Sequence, residues 1–438
     1  MRFAAKILVS AFAVLAAFSC RPEKESAAAQ DARIYGVYRV YPAPDARAKV
    51  KAPRGYRPVY VSHYGRHGSR WILYDTQYVF IKDVLDRAAA DGKLTCEGKR
   101  AKNLYDEVYP RLAGRAGQLT PLGMKQHREI ASRMAGNYPE IFAKGSGVMA
   151  FSSDVPRTIL SMGAFCGELQ RHFPEIEIYE GVNPAEYEHF LNPYSSKSST
   201  ATAEDLRFKS LSAPWREDFD RFCKRKIDAE QFCGRLFTDL EWLGTVCRPV
   251  NFERDFYYLA VHMDGVPAEA DFLGFFRDDE LESLAECDNY TFYVEKGPWP
   301  GGNGRSYALS VHILDDIVGQ AARDMASGDC CARLRFGHDG CLMGLLCLMG
   351  VKGWCEGVSD PDRFTEVWNS SEIPMAANIQ FIFFRSRAGA LATSVLFNEK
   401  PLGFPLPEIS PGCYDWEAMR SLLAEKSRAA HELLSKTI

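Results

Sequence analysis

Pro58-Val59-Tyr60-Val61-Ser62 is a short run of β-forming residues, and it leads directly into His63-Tyr64-Gly65-Arg66-His67-Gly68-Ser69-Arg70. An apolar run of this length favours a buried strand of a parallel sheet. In open α/β sheets, ligands bind beyond the carboxyl ends of the strands. The junction therefore predicts a functional loop at the edge of an α/β sheet.

The residues of this loop suit a phosphate group. The guanidinium groups of Arg66 and Arg70 match phosphate oxygens bidentately and stay charged at any working pH. His67 lies between them and can attack phosphorus through a ring nitrogen, forming a covalent intermediate, and Gly68 lets the backbone approach a ligand closely. The alternative is that both arginines are solvated and His67 is an ordinary loop histidine.

A second strand-to-helix junction carries another arginine. Gly147 to Phe151 predicts a core strand, and Ser153 or Asp154 is positioned to cap the helix that follows. Arg157 falls in the first turn of that helix, whose N-terminus favours anions. A third guanidinium suits a transferring phosphoryl group, although in isolation Arg157 also fits a surface arginine near a cap.

A third junction follows the strand predicted at Leu334 to Phe336. His338 could hydrogen-bond a phosphate oxygen, and Asp339 could donate the proton that a leaving alkoxide needs. Asp339 could also cap the helix through Leu342 to Leu348. The two roles are compatible, because a cap can lie where the chemistry takes place.

Together these motifs resemble those of the histidine acid phosphatases, the branch of the histidine phosphatase superfamily that includes phytases and multiple inositol polyphosphate phosphatases. The similar stretches occur in family order at His63–Arg70, Leu119–Gly123, Ser152–Thr158, Phe336–Asp339 and Pro374–Asn378. They extend over most of the chain, from about Tyr60 to Asn378.

The resemblance implies that His67 is the nucleophile, which forms a phosphohistidine, and that Asp339 is the proton donor. The implied ligands of the phosphoryl oxygens are Arg66, Arg70, Arg157 and His338. The resemblance implies no metal and no organic cofactor. Inositol polyphosphate phosphatases often carry His-Ala-Glu where this chain has His338-Asp339-Gly340, so the chain favours phosphate monoesters in general over phytate alone.

The predicted fold class is α/β, because strand and helix patterns alternate on both sides of a different middle region. We expect a three-layer core with a mostly parallel central sheet flanked by helices, formed by 34–178 and 305–438. The middle region, 179–304, is rich in Tyr, Phe, Asp and Glu without strong strand runs. It is predicted to be an inserted, mostly helical cap, as the resemblance also implies.

Several local elements are predicted from their patterns. Apolar residues at helical spacing predict a helix from Thr76 to Ala90. Thr120 is expected to cap a helix that Pro121 opens and that runs to about Asn137. Strand-like runs at Ile379–Arg385 and Ala392–Phe397 predict an antiparallel pair.

The N-terminal 20 residues predict a secretory signal. Ile7 to Phe18 is an apolar run interrupted only by Ser10, and Ala17-Phe18-Ser19-Cys20 resembles a bacterial lipobox. Lipidation of Cys20 would anchor the protein in the cell envelope, at the outer membrane or in the periplasm, through a flexible tether at 21–33. Plain secretion is the alternative.

Composition excludes several classes of protein. A chain of 438 residues with 46% hydrophobic residues can bury a large core and is not disordered. Lys and Arg number 53 against 57 Asp and Glu, for a net charge of −4. This balance argues against a general nucleic-acid binder, yet it is compatible with a small basic pocket.

The twelve cysteines other than Cys20 show no zinc-like spacing, and the spacing prescribes no disulfide framework. Cys341 and Cys347 lie in an apolar stretch and are predicted to be buried thiols. Lys51, Arg54 and Arg57 precede the first strand. They could add positive potential for a polyphosphate or form a solvated basic loop.

The expected partner is a phosphorylated small molecule, and three alternatives remain. One is a broad-specificity acid or sugar phosphatase of the same fold. Another is an enzyme that moves the phosphoryl group to a different acceptor, as phosphoglycerate-mutase-like relatives do. A third is a non-catalytic surface lipoprotein that binds phosphorylated ligands, which would be expected to lack part of the catalytic set; here the set is complete.

Overall fold

The computed structural model describes residues 33–42, 49–143, 147–182, 191–193 and 213–436. The predicted signal, Cys20 and the tether up to residue 32 lie outside these residues. Among the described helices, none combines the length and the apolar character needed to span a membrane.

The described residues contain nine strands, which form one mixed sheet. The strands are β1 (Tyr56–Arg66), β2 (Gly147–Ser152), β3 (Ile178–Val182), β4 (Cys330–Gly337), β5 (Asn378–Ser386), β6 (Leu391–Phe397), β7 (Lys400–Pro401), β8 (Glu408–Ser410) and β9 (Cys413–Asp415). Their order is β3-β2-β4-β1-β5-β6-β9-β8, with β7 beside β6. The half from β3 to β1 is parallel and the remaining pairs are antiparallel, which confirms the predicted α/β fold class.

Helices pack on this sheet and on one another. They are α1 (Asp75–Ala90), α2 (Cys96–Leu112), α3 (Pro121–Asn137), α4 (Pro139–Phe142), α5 (Pro156–His172), α6 (Arg216–Lys226), α7 (Ala229–Leu236), α8 (Leu240–Val246), α9 (Pro249–His262), α10 (Asp278–Lys296), α11 (Arg305–Ala308), α12 (Val311–Ser327), α13 (Asp339–Leu348) and α14 (Trp416–Ser435). A 3₁₀ turn at Gly36–Tyr38 precedes β1.

The locally predicted elements are present. The Thr120 hydroxyl accepts the N–H of Gly123 at 3.1 Å, and Pro121 occupies the first helical position of α3. Helix α1 begins at Asp75, one residue before the predicted start, and β5 and β6 pair antiparallel as expected. Local capping and β-propensity therefore account for these parts of the chain.

The core is divided by the sheet. On one face, Val61 and Leu334 of the sheet pack with Ile130 of α3 and Phe165 of α5. On the other face, Tyr64, Phe381 and Phe383 belong to a cluster that includes residues of α12, α13 and α14. Burial of each large apolar side chain contributes about 1.5–3 kcal/mol, so the sheet is held rigidly between two layers.

A third apolar cluster lies among helices. It joins Ile81 of α1 and Tyr105 of α2 to Phe232 of α7 and Phe256 of α9. The first two residues belong to the predicted core and the last two to the predicted cap, so the two segments share one buried cluster. The division into core and cap stays a prediction.

The cysteines of the described residues are free thiols. Cys341 and Cys347 are buried on α13 with exposures of 0% and 5%, which confirms the prediction of buried thiols. Burial raises the pKa of the Cys341 thiol to about 12, so it stays protonated and unreactive at neutral pH.

Candidate active site

Three parallel strands bring the predicted site residues to one edge of the sheet. The pairing of β1 with β4 sets Arg66 beside Gly337, and the pairing of β2 with β4 sets Ser152 beside Phe336. Parallel strands end at the same edge, so the segments that follow them are neighbours. The loop after Arg66, the turn before α5 and the start of α13 therefore meet.

Backbone hydrogen bonds hold the His67 loop in place. The N–H of His67 donates to the carbonyl of Gly337 at 3.0 Å, and the carbonyl of His67 accepts the N–H of Ala376 at 3.0 Å. The N–H of Gly68 donates to the Ser161 hydroxyl of α5 at 3.2 Å. The loop is thus fastened to β4, to the segment before β5 and to α5, so His67 projects from a rigid support.

A hydrogen bond fixes the tautomer of the His67 imidazole. Its Nδ1 lies 2.9 Å from the carbonyl oxygen of Gly68. Because a carbonyl only accepts hydrogen bonds, Nδ1 carries the proton and Nε2 carries the lone pair. Burial lowers the pKa of His67 well below its usual value, and nearby Arg157, Arg66 and Arg70 lower it further. The ring is therefore neutral over the ordinary pH range.

Arg66 is completely buried, and three groups hold it. Its Nη1 donates to the carbonyls of Val37 at 2.6 Å and Ile373 at 2.8 Å, and its Nη2 lies 2.9 Å from Oδ2 of Asp339. Among the described residues its Nε has no hydrogen-bond partner. Nη1 and Nη2 are thus anchored, while the buried Nε–H remains to donate to a ligand.

Arg70 is anchored in the same manner by different residues. Its Nη1 donates to the carbonyl of Trp71 at 3.0 Å and lies 3.0 Å from Nε2 of His262. Its Nε is buried and, within the described parts of the chain, has no hydrogen-bond partner. Both hydrogens of Nη1 are used, so the edge formed by Nε and Nη2 is the one available to an anion.

Arg157 lies in the first turn of α5, as predicted, but the predicted cap is wrong. Val155 occupies the cap position and makes no capping bond with its side chain. The Ser153 hydroxyl instead shares a 2.8 Å hydrogen bond with the Thr158 hydroxyl, which fixes the turn. The Nε of Arg157 is buried without a hydrogen-bond partner among the described residues, which makes it a third such guanidinium in the cluster.

His338 lies close to His67 at the ends of the strands. Its ring centroid lies 5.8 Å from that of His67. Its backbone N–H donates to the Tyr64 hydroxyl at 2.9 Å, and its Nε2 lies 3.2 Å from the Ser153 hydroxyl. The Tyr64 and Ser153 hydroxyls thus hold the His338 ring near His67.

Asp339 is the first residue of α13 and not its cap, because the cap position is His338. Its Oδ1 accepts the N–H of Gly340 at 2.8 Å, and its side chain keeps 24% exposure. Burial acts to raise the pKa of Asp339, but Arg66, His338 and Arg70 outweigh it and lower the pKa to about 2. In the free protein the group is therefore a carboxylate.

Gly68 is required by the protein rather than by a ligand. A Cβ at this position would lie 2.5 Å from the carbonyl oxygen of Gly123 in α3. A Cβ on Gly123 would in turn lie 2.3 Å from the carbonyl oxygen of Ser69. The two glycines allow α3 to touch the loop backbone, which differs from the reason inferred from the sequence.

The basic residues before the first strand do not reach this site. Arg57 pairs with Arg385 at the start of β1, whereas the site lies at the other end of that strand, after Arg66. The nine residue steps from Arg57 to Arg66 span about 30 Å, which is several Debye lengths at physiological salt. Lys51 and Arg54 lie in an exposed loop before β1, and Arg57 is an exposed residue of β1 itself, so all three are solvated.

Three residues at the site carry no signal in the motifs. Tyr38 and His262 contact Arg70, and Ser161 supports Gly68. His262 is the last residue of the apolar helix α9, and the sequence around it does not indicate that it lies at the site. Among the described residues, no group of three His, Cys, Asp or Glu side chains is arranged to bind a metal.

Comparison with known proteins finds similar structures. A multiple inositol polyphosphate phosphatase of Bifidobacterium longum in complex with inositol hexasulfate has a TM-score of 0.72 and 19% identity, over 89% of this chain and 97% of that one. The phytase of D. castellii has a TM-score of 0.69 and 12% identity, over 96% and 91%. The Hafnia alvei phytase has a TM-score of 0.52 and 14% identity, over 87% and 99%.

These similarities show that the chain has the fold of phytases and of multiple inositol polyphosphate phosphatases. No family model matches the sequence, and no curated protein does. At 12–19% identity, the similarity establishes the fold that surrounds the site. What the site does is argued from its own residues.

Proposed function

We propose that the chain is a phosphomonoester hydrolase that acts through a phosphohistidine intermediate. His67 is the nucleophile and Asp339 the proton donor, and Arg66, Arg70, Arg157 and His338 bind the phosphoryl oxygens. The substrate is a phosphorylated small molecule, with inositol polyphosphates such as phytate as the favoured class. No metal or organic cofactor takes part.

One observation carries the proposal. Nε2 of His67 holds a lone pair in the middle of three guanidinium groups whose buried Nε atoms lack hydrogen-bond partners within the described residues. Buried donors without partners cost free energy, and an anion bound there would satisfy them. Solvated arginines around an ordinary loop histidine, the plainer alternative, would not be buried in this way.

The substrate class is supported by the structural neighbours. The Bifidobacterium longum enzyme has been crystallised with inositol hexasulfate and with phosphate, and the other neighbours are phytases. The rate on phytate relative to simple sugar phosphates therefore separates this proposal from a broad-specificity phosphatase.

The reaction has two displacement steps. Nε2 of His67 attacks phosphorus and the P–O bond to the alcohol breaks, while the leaving oxygen takes the proton of the Asp339 carboxyl group. Water then attacks the phosphohistidine, its proton passes to Asp339, and the P–N bond breaks to release phosphate and neutral His67. The guanidinium groups stabilise the charge on the phosphoryl oxygens in both steps.

Asp339 must gain a proton before the first step, because it is a carboxylate in the free protein. Arg66 is the principal cause of its low pKa. A phosphate dianion bound to Arg66 offsets that positive charge and adds negative charge nearby, so the pKa of Asp339 rises when substrate binds. The substrate itself thus prepares the proton donor.

The test is phosphate release from phytate, a sugar phosphate and an aryl phosphate, under acidic and neutral conditions. His67→Ala should abolish release from all three while the circular dichroism spectrum stays that of the wild type. His431→Ala, which changes an exposed histidine on α14, should retain full activity. A phosphorylated His67, trapped by an alkaline quench and found by mass spectrometry, would support the intermediate; substantial activity in His67→Ala would refute it.

We further propose that the protein is exported and anchored through a lipid on Cys20, on the lipobox-like sequence before it. Cys20→Ser should move the protein from the membrane fraction to the soluble fraction of its host. A wild-type protein that is already soluble would refute the anchor.

A further inference from the structure

Arg70 is held by residues outside the motif that contains it. Two acceptors occupy Nη1: the carbonyl of Trp71, which is a neighbour in sequence, and Nε2 of His262, which is 192 residues away. Both lie 3.0 Å from Nη1. The contact with Trp71 leaves the guanidinium plane free to rotate about its side-chain bonds, whereas the second acceptor determines the direction of that plane.

His262 has only one tautomer that fits its surroundings. Its Nδ1 lies 2.7 Å from the carbonyl oxygen of Tyr258, one turn earlier in α9. That carbonyl can only accept, so Nδ1 carries the proton and Nε2 is an acceptor. Arg70, which has no acceptor atoms, can only donate to Nε2. The side chain of His262 is 6% exposed, so water does not compete for this bond.

The Tyr38 ring packs against the imidazole of His262, and Asp288 holds Tyr38 in turn. The Tyr38 ring lies 4.5 Å from the His262 ring, at 44° to it, and the Arg70 guanidinium carbon lies 5.9 Å from the centre of the Tyr38 ring. Asp288 of α10 accepts a hydrogen bond from the Tyr258 hydroxyl at 2.5 Å and interacts with the Tyr38 hydroxyl. The tyrosines are therefore fixed at their far ends.

We propose that His262 is a positioning residue for phosphate binding, which directs the Nε–Nη2 edge of Arg70 toward the phosphoryl group by accepting a hydrogen bond from Nη1. This inference rests on the proposed function, in which Arg70 binds phosphoryl oxygens. His262 does not touch the substrate. It acts through Arg70, and Tyr38 and Asp288 hold it in the orientation that this requires.

The proposal distinguishes between substitutions of similar size. His262→Gln keeps a terminal amide at the position of Nε2, so its oxygen can accept from Arg70. His262→Asn can still donate to the Tyr258 carbonyl but is too short to reach Arg70. His262→Phe keeps the ring stacked on Tyr38 but offers Arg70 no acceptor.

The experiment measures the affinity for inorganic phosphate by calorimetry, in wild type and in Arg70→Ala, together with kcat and KM for an aryl phosphate. His262→Asn and His262→Phe should weaken phosphate binding by about tenfold or more, the loss expected for one hydrogen bond to a charged group. His262→Gln should stay within about threefold. In the Arg70→Ala background, the same substitutions of His262 should change the affinity for phosphate by less than about twofold, because the effects of coupled residues are not additive.

Tyr257→Phe is the matched control. Tyr257 neighbours Tyr258 on α9, is 1% exposed, and donates its hydroxyl to the carbonyl of Ile34. Loss of the Tyr257 hydroxyl should lower the free energy of unfolding without changing the affinity for phosphate. Because His262→Phe can fail to fold, the comparison between His262→Gln and His262→Asn carries the test if it does.

The outcomes separate this proposal from the proposed function. Equal losses in the wild-type and Arg70→Ala backgrounds, or a Gln variant as weak as the Asn variant, would overturn the positioning role even if the enzyme is active. A protein that releases no phosphate from any ester, yet binds phosphate in a manner that depends on His262 only when Arg70 is present, would refute the hydrolase and support the positioning role.

Discussion

Two regions of the molecule meet at Arg70, and they hold it by different means. On the sheet side, residues at the ends of β1, β2 and β4 are neighbours because the parallel register makes them so. On the helical side, Tyr38, His262 and Asp288 come from a 3₁₀ turn and two helices, and only side-chain contacts bring them together.

This difference has consequences for mutation. The backbone supports the sheet side, so removal of a side chain there leaves the strands in register and abolishes the chemistry proposed for that side chain. The helical side consists of side chains that support one another, so the removal of one side chain weakens phosphate binding only in part. We therefore expect loss of function on the sheet side and graded effects on the helical side.

The largest combined effect on activity and stability is expected for Arg66→Ala. Loss of the guanidinium removes a proposed ligand of the phosphoryl group. It also leaves the carbonyls of Val37 and Ile373 without their donor and the carboxylate of Asp339 without its ion-pair partner. We expect kcat/KM to fall by about 10²–10³-fold and the free energy of unfolding by about 3–5 kcal/mol. Enzyme kinetics and urea denaturation measure the two quantities.

Arg335→Ala is the matched control for this prediction. Arg335 of β4 is also 0% exposed and is paired with a carboxylate, that of Asp316 at 2.5 Å. Its loss should cost comparable stability but reduce the activity of the folded protein by less than about tenfold. Equal losses of activity in both variants would show that the sheet side contributes packing rather than specific ligands.

The next largest effect is expected for Asp339→Asn, and it depends on the leaving group. An amide cannot donate the proton that an alkoxide needs, so kcat/KM for an alkyl phosphate should fall by about 10²–10⁴-fold. An activated aryl phosphate leaves without that proton and should lose far less. A comparison of the two substrates checks the role, and equal losses would contradict it.

Two buried histidines, one on β1 and one on α3, determine how stability depends on pH. Burial lowers the pKa of His63 and of His127 from 6.5 to about 3. Below pH 6.5 the unfolded chain takes up protons that the folded protein refuses, so stability is complete above pH 6.5 and is lost as the pH falls toward 3. Each histidine contributes a slope of about 1.4 kcal/mol per pH unit.

Replacement of one buried histidine checks this slope. In His127→Leu, the free energy of unfolding should fall less steeply between pH 6 and pH 4, by about 1.4 kcal/mol per unit. Met134→Leu changes an equally buried residue of α3 that binds no proton and should leave the slope as it is. An unchanged slope in His127→Leu would mean that this histidine is protonated in the folded state.

The sequence predicts the sheet side well because its geometry is local. The Thr120 cap, the strand runs and the loop residues from Arg66 to Arg70 are each determined within a few positions, and the parallel register then brings the loops together. The role of His262 depends on a contact over 192 positions, and no pattern near it refers to Arg70.

The points that the sequence leaves open or explains differently have the same origin. Lys51, Arg54 and Arg57 precede the motif by few residues but lie at the wrong end of an extended strand. Gly68 is a glycine because α3 touches it, which a linear sequence does not reveal. The charge state of Asp339 depends on Arg66, whose position is known only once both strands are placed.

The smallest effect concerns the backbone that supports His67. Ala376 has a φ of +61°, is 0% exposed, and its N–H donates to the His67 carbonyl. Ala376→Gly should relieve the strain of the left-handed conformation, which stabilises the folded protein by about 1–2 kcal/mol. This gain offsets the loss of methyl burial and the greater conformational entropy of the unfolded chain. Ala377→Gly, equally buried at negative φ, has no such relief and should cost about 1.5 kcal/mol. Urea denaturation should therefore separate the two variants by about 1–2 kcal/mol, and identical losses would mean that the His67 loop is held without strain.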